Sequence, residues 1–169
     1  MDDATAIVNI GFDYNWFGND LTQLVIQSNG QLFMDTSNDS ISAVVVSIGD
    51  YSGSRIAFAN CDLDPRRGAV KVGRKSGADE SFKVSFEDVN WFLSDEEINV
   101  QVELFPNGDI IFCYGSGEMG SYYYGDVSMV AGVENFDLGN AFPIPDDPFN
   151  SDGITTEWPT NSCWKFQMP

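Results

Sequence analysis

Apolar residues recur at every second position along most of this chain, and that period is what most restricts its fold. Val, Ile and Phe alternate with polar residues in short runs, and clusters of Gly, Asn, Asp and Pro interrupt them after about ten residues each. Successive side chains of a strand point to opposite faces, so this spacing suits a sheet with one buried face. A helix needs apolar residues three and four apart, and no long stretch has them. The pattern predicts strands near 5–10, 22–28, 31–35, 42–48, 54–60, 69–74, 80–86, 98–105, 109–114, 127–134 and 163–167. Such a series predicts an all-β fold, an antiparallel β-sandwich of about ten strands with short helical turns. The 169 residues read as a single domain, long enough to bury a core without a metal or a disulfide. The expected core is Val25, Leu32, Ile56, Phe58, Val84, Phe86, Val100, Val102, Leu104, Ile111 and Val133.

Turn chemistry marks two hairpins. Asn29-Gly30 lies between Leu24-Val25-Ile26 and Leu32-Phe33, and Asn107-Gly108 between Val102-Glu103-Leu104-Phe105 and Ile110-Ile111-Phe112. Asn-Gly supplies the two positive-φ positions of a type I′ turn, which both sites are expected to adopt. Ser94 followed by Glu97 has capping-box spacing and predicts a short helical turn. Residues 136–162 carry Pro143, Pro145, Pro148 and Pro159 among Asp and Asn and little strand signal. They read as a long irregular surface segment, packed down by Phe142, Phe149, Ile154 and Trp158.

The charge is lopsided. Net charge is −18, and the chain has no histidine. An acidic chain is repelled by nucleic acid and by anionic membranes, so neither is expected as a partner. Apolar runs of about five residues predict no membrane-spanning helix. Without imidazole there is no Ser-His-Asp or Cys-His nucleophile system and no His-ligated metal. Seven of the eight basic residues (Arg55, Arg66, Arg67, Lys71, Arg74, Lys75 and Lys83) fall between positions 55 and 83. That window is either an ordinary decorated strand pair or a positive strip on a negative body, an arrangement suited to binding copies of itself. In the second reading Arg66, Arg67, Lys71, Arg74 and Lys75 meet the tail acids Asp146, Asp147 and Asp152 of the next subunit. Tyr122, Tyr124 and Trp158 then supply an apolar centre.

Few residues carry a chemical signature. Asp62 and Asp64 share one face of an extended chain, as a calcium site would require, but Arg66 and Arg67 follow at once and can neutralise them. The alternatives are a salt-bridged turn, a calcium site and a catalytic carboxylate pair. No other cofactor is indicated. Gly115-Ser-Gly117-Glu-Met-Gly120 follows a strand but lacks a lysine and opens no helix, so it reads as a turn rather than a phosphate loop. Cys61, Cys113 and Cys163 have no metal-ligand spacing. Cys61 and Cys113 sit in apolar runs and are expected as buried small hydrophobes, with a disulfide to Cys163 left open. Asn38-Asp-Ser40 is an N-glycosylation sequon.

The order of these segments resembles a known family. Ile10-Gly-Phe12-Asp-Tyr14 with Trp16-Phe17-Gly18, then Ser28-Asn29-Gly30-Gln-Leu32-Phe33, is similar to the opening of nidogen-like β-sandwich domains. Ile56-Ala-Phe58 with Asp62-Leu-Asp64, the Val84-Ser-Phe86 strand, the Val100–Ile110 hairpin and Val130-Ala-Gly132-Val133-Glu134-Asn135 follow in the same order. The likeness spans about residues 8–135. The segment before Asp62 lacks the Pro and Trp usual there. The tail, with Asp147-Pro148-Phe149-Asn150, is similar instead to acidic algal proteins on the same sandwich, among them the pyrenoid-shell proteins of diatoms. These features imply a non-enzymatic structural protein that self-assembles through homotypic contacts into a sheet, shell or filament. The alternative is an extracellular adhesion, matrix or carbohydrate-binding module. The first would sit at the plastid or pyrenoid periphery, the second outside the cell.

Overall fold

A computed structural model describes residues 4–36, 53–122, 125–126, 128–135, 138–144, 148–151 and 153–169. Its strands are β1 (Thr5–Trp16), β2 (Asn19–Gln27), β3 (Gln31–Phe33), β4 (Arg55–Asn60), β5 (Leu63–Asp64), β6 (Ala69–Lys75), β7 (Ser81–Trp91) and β8 (Glu97–Leu104). After these come β9 (Ile110–Gly117), β10 (Ser121–Tyr122), β11 (Gly125–Asp126), β12 (Met129–Asn135), β13 (Asn140–Pro143), β14 (Ile154–Thr155) and β15 (Ser162–Phe166). The strand expected at 42–48 and the sequon at Asn38 lie outside the described residues.

Two antiparallel sheets form the predicted sandwich. One runs β1-β2-β3-β4-β12-β13, with β14 also on β12, and the other runs β15-β9-β8-β7-β5, with β6 also on β7. Alternation sets the register. In β9, Ile110, Phe112 and Tyr114 are buried while Ile111 and Cys113 are only partly so. Ile111, expected in the core, is therefore on the outer face, since one position along a strand reverses the side chain's direction. The other ten expected core residues are buried. Phe58 of β4 meets Phe86 of β7 edge-on, with ring centroids 5.1 Å apart. The Tyr114 hydroxyl of β9 crosses the layers and donates to the Phe58 carbonyl at 2.6 Å. A buried phenol needs such an acceptor, and this one joins the two sheets.

Both Asn-Gly turns correct the expectation in the same way. β2 and β3 pair Gln27 with Gln31, so the loop holds three residues, and only Gly30 has positive φ, at 73°. In the second hairpin Phe105 donates to the Asp109 carbonyl, and Gly108 alone has positive φ, at 89°. These are three-residue loops with a left-handed glycine rather than type I′ turns. The glycines are also needed for space: a Cβ on Gly30 would stand 2.2 Å from the Ala59 carbonyl oxygen. The Gly30 carbonyl accepts from both Phe58 and Ala59, where β4 bulges against β12.

Three further expectations change. Residues 92–96 form a hairpin connection, and no helix occurs among the described residues. The Asn90 amide donates to the carbonyls of Asp95 and Glu96, and Ser94 bonds Glu96 rather than Glu97, so the carbonyls and the cap are used locally. Residues 136–162 are less irregular than their prolines suggest, because β13 and β14 both pair with β12. Cys113 is not a buried hydrophobe. It is disulfide-bonded to Cys163, its register partner on β15, with Cα atoms 4.2 Å apart. A loop of 50 residues closed in this way contributes about 4 kcal/mol through the unfolded state.

The central strands of the first sheet are buried on both faces. On the face away from the sandwich core, Val25 and Phe33 flank a buried polar network. Arg55 Nε donates to Glu134 at 3.0 Å, and Arg55 Nη1 donates to the Gln31 side-chain oxygen Oε1 at 2.7 Å. Gln31 passes the chain to Gln27 at 2.7 Å. Arg55 therefore does not belong to any surface strip. Removing one partner of a buried ion pair is expensive because the other charge stays out of water. Glu134→Ala is expected to lower stability by about 3–5 kcal/mol, measured by urea denaturation. A loss within about 0.5 kcal/mol, the size of an ordinary surface substitution, would show that the pair is not needed.

Candidate functional site

The residues expected to act fall on the turn after β5 and on β6. Pro65 ends β5, and Arg66 and Arg67 follow on the exposed turn. Arg66 folds back on Asp64: Nε and Nη2 each donate to one carboxylate oxygen at 2.7 Å, and the Arg66 amide adds a third bond at 3.1 Å. These hydrogen bonds hold the Asp64 carboxyl below its usual 3.8, against a smaller opposing effect of desolvation. The geometry is that of the salt-bridged turn. Asp62 takes part through its backbone, accepting from the Phe92 amide at 2.9 Å. No group of three or more His, Cys, Asp or Glu that could hold a metal occurs among the described residues.

β6 is an edge strand, paired with β7 alone and exposed along nearly its whole length. Its cations, and Arg67 on the turn before it, are each engaged within the chain. Lys71 pairs with Glu87, Lys75 with Asp79 at 3.0 Å, and Arg67 with Asp95 at 2.8 Å. Arg74 sits over the Phe82 ring, 5.4 Å from its centroid, and donates to the backbone carbonyls of Asn9 and Ile10. It thereby ties an edge of one sheet to β1 of the other. Val70 and Val72 lie between these cations and remain exposed.

The remaining expected contact residues are dispersed. Asp146, Asp147, Asp152 and Tyr124 lie outside the described residues, and Tyr122 belongs to β10. Trp158 packs edge-on against Tyr114 at 5.4 Å and donates to the Gly115 carbonyl at 3.0 Å. A Cβ on Gly117 would stand 2.7 Å from that indole, and one on Gly120 2.5 Å from Trp91. Gly115 and Gly117 lie in β9 rather than in the expected turn, and Gly117 and Gly120 make room for two tryptophans.

Sequence reasoning left one feature open and missed another. The first is the Cys113–Cys163 pair on the outer face, where Cys163 is exposed. The second is an apolar cavity of about 450 Å³ between the sheets, lined chiefly by Phe112, Val133, Phe142, Ile144, Trp164 and Phe166. Both depend on β15 lying beside β9, which no local signal announces. Cys61 differs from the other two cysteines. It is free and buried, it donates to the Ala59 carbonyl at 2.9 Å, and burial and then Asp62 push its thiol well above the usual range. A thiol of that kind is unreactive.

A family model described as NIDO related matches residues 1–161. The chain belongs to the NIDO-related family. This agrees with the nidogen-like order of segments in the sequence and with the observed sandwich. No curated protein and no solved structure matches the chain. The family match carries no pyrenoid-shell likeness. No helix among the described residues of this NIDO-related chain is long and apolar enough to cross a membrane.

Two outcomes follow for the NIDO-related sandwich. Its thiols should be silent to a thiol reagent in the native state. One should react after denaturation, and all three cysteines after denaturation with reduction. A second reactive thiol in the denatured, unreduced protein would contradict the disulfide. The Asp64–Arg66 pair stabilises fully above the ordinary carboxylate pKa and is lost as pH falls through the lowered native value. Arg66→Ala should therefore lower stability by about 1 kcal/mol at neutral pH, the size of a partly exposed pair, and by nothing in strong acid. Urea titrations at the two pH values would show an equal loss if the guanidinium acted through packing instead.

Proposed function

We propose that this chain is a non-enzymatic β-sandwich module of an oxidising, extracellular-type compartment, working through protein contacts. The observation that carries this reading is the Cys113–Cys163 disulfide, which lies across a strand pair with one cysteine exposed. A solvent-facing disulfide persists where the surroundings do not reduce it. Membership of the NIDO-related family and the nidogen-like segment order support an adhesion or matrix role. Three carboxylates are unsuited to act as general acids. Asp64, Glu87 and Asp109 all have lowered pKa values, each chiefly through a hydrogen bond from a cationic partner. A general acid working near neutrality needs a raised one.

A second reading, self-assembly through homotypic contacts, is favoured by one observation. The free edge of β6 exposes Val70 and Val72 on the strand that carries Lys71, Arg74 and Lys75. Because these cations already have partners in the chain, assembly would exchange one set of pairs for another. Each exchange is worth about 1 kcal/mol or less, and the contact would weaken as salt is added.

Trapping thiols in the natural source with an alkylating agent before extraction tests the first reading. Cys113 and Cys163 should be recovered as a disulfide and Cys61 as the alkylated thiol. Recovery of alkylated Cys113 and Cys163 would reject the compartment. Lys71→Glu with Lys75→Glu separates the second reading. Loss of a salt-sensitive oligomer, measured by light scattering, supports it, and a monomer at every concentration in the unaltered protein rejects it.

A further inference from the structure

β15 contributes no fully buried residue, although alternate side chains point into the sandwich. Within its sheet it pairs with β9 alone and forms the edge. Trp164 leans on Tyr114 and Phe149 with centroids 5.6 and 5.5 Å apart, and Phe166 on Phe142 at 5.2 Å. These rings line a cleft of about 450 Å³, open to solvent, between β15 and β13. On the outer face a Lys165–Asp109 pair at 2.7 Å and the Cys113–Cys163 disulfide tie the strand down. The strand is thus held by a covalent latch over loose packing, and the latch faces solvent at Cys163.

We propose that β15 is an exchangeable strand: once a dithiol reductant opens Cys113–Cys163, β15 leaves β9, and the vacated edge receives β15 of a second copy. A thiolate of the reductant attacks the exposed Cys163 sulfur, and Cys113 departs as a thiolate. The reductant's second thiol then displaces Cys163, so the reductant is oxidised to its disulfide and the two cysteines are reduced. The reverse steps with a disulfide oxidant rejoin each Cys113 to the Cys163 of the other copy.

The occupant follows from the slot. It takes an aromatic residue at two inward positions, Trp164 and Phe166, with a cysteine opposite Cys113 and a cation beside Asp109. The strand of a second copy meets all four requirements with unchanged contacts, which is why exchange of an identical element is a low-cost route to a dimer. Two chains of charge −18 repel, so added salt favours the exchanged dimer. That dependence is opposite to the one expected of the β6 strip, and it keeps the two ideas separable.

The test mixes two variants, Cys113→Ser and Cys163→Ser, each checked for native circular dichroism. Neither can close the latch within one chain. On oxidation with glutathione disulfide the mixture should give a disulfide-linked heterodimer whose peptide map shows Cys113 joined to Cys163. Either variant alone should give none. An unlinked mixture, or linkage to the same extent in the single variants, overturns the proposal. Should a variant fail to fold, hydrogen exchange on the unaltered protein in a dithiol decides instead. Residues 162–166 and 110–114 should lose protection by about tenfold or more while β4, β7 and β12 keep theirs. Unchanged protection, or loss across the whole sandwich, rejects an exchangeable strand.

Discussion

The Tyr114 hydroxyl, buried at the centre of the sandwich and donating to the Phe58 carbonyl, is the contact on which the arrangement turns. A phenol in an apolar core is tolerated only when its hydroxyl has an acceptor, and the cost of orphaning it ties the separation and alignment of the two sheets to that bond. Burial, with a smaller effect of Cys61, pushes its ionisation far above the usual range, so it stays a neutral donor. The ring then organises what comes later in the chain. Phe149 and Trp158, from a segment with little strand pattern of its own, and Trp164 of β15 all pack against it. Because Tyr114 points inward, Cys113 must point outward, and the disulfide lies on the surface for that reason.

Electrostatics in this chain are local. An excess of acid gives every cation several possible partners, and the eight basic residues are all engaged within the fold. Seven sit in ion pairs, and Arg74 bonds backbone carbonyls. The cluster between positions 55 and 83 therefore serves several purposes. Arg55 lies in the interior, Arg66 and Arg67 fasten the turn after β5, and Arg74 closes a gap between sheets. Lys71 and Lys75 remain on a free edge, where lysine commonly discourages accidental strand pairing.

The two lateral edges of the sandwich differ in kind. On the β6 side, charged side chains face water. On the β13 and β15 side, aromatic rings line an open cleft beside a disulfide-tied strand. Edge strands leave backbone groups free, whereas central strands are fixed by neighbours on both sides. Membership of the NIDO-related family sets the sandwich, and the edges are where this chain's own chemistry is concentrated.

Local pattern alone determined the fold class, the strands from β1 to β9 apart from β5, the positions of β12 and β15 and ten of eleven expected core residues. Period two and turn residues act between near neighbours, so a linear sequence displays them. The absence of histidine likewise excluded whole classes of chemistry before any fold was known. Ile111 and the type I′ turns were misjudged by single positions, because register and loop length depend on the strand opposite. The buried Arg55–Glu134 pair, the Cys113–Cys163 bond and the interlayer cavity were decided only by tertiary structure. Each joins residues about 20 to 80 positions apart, as the separations of 79 for the ion pair and 50 for the disulfide show. No local spacing encodes such a meeting, which exists only when antiparallel pairing brings β4 to β12 and β15 to β9.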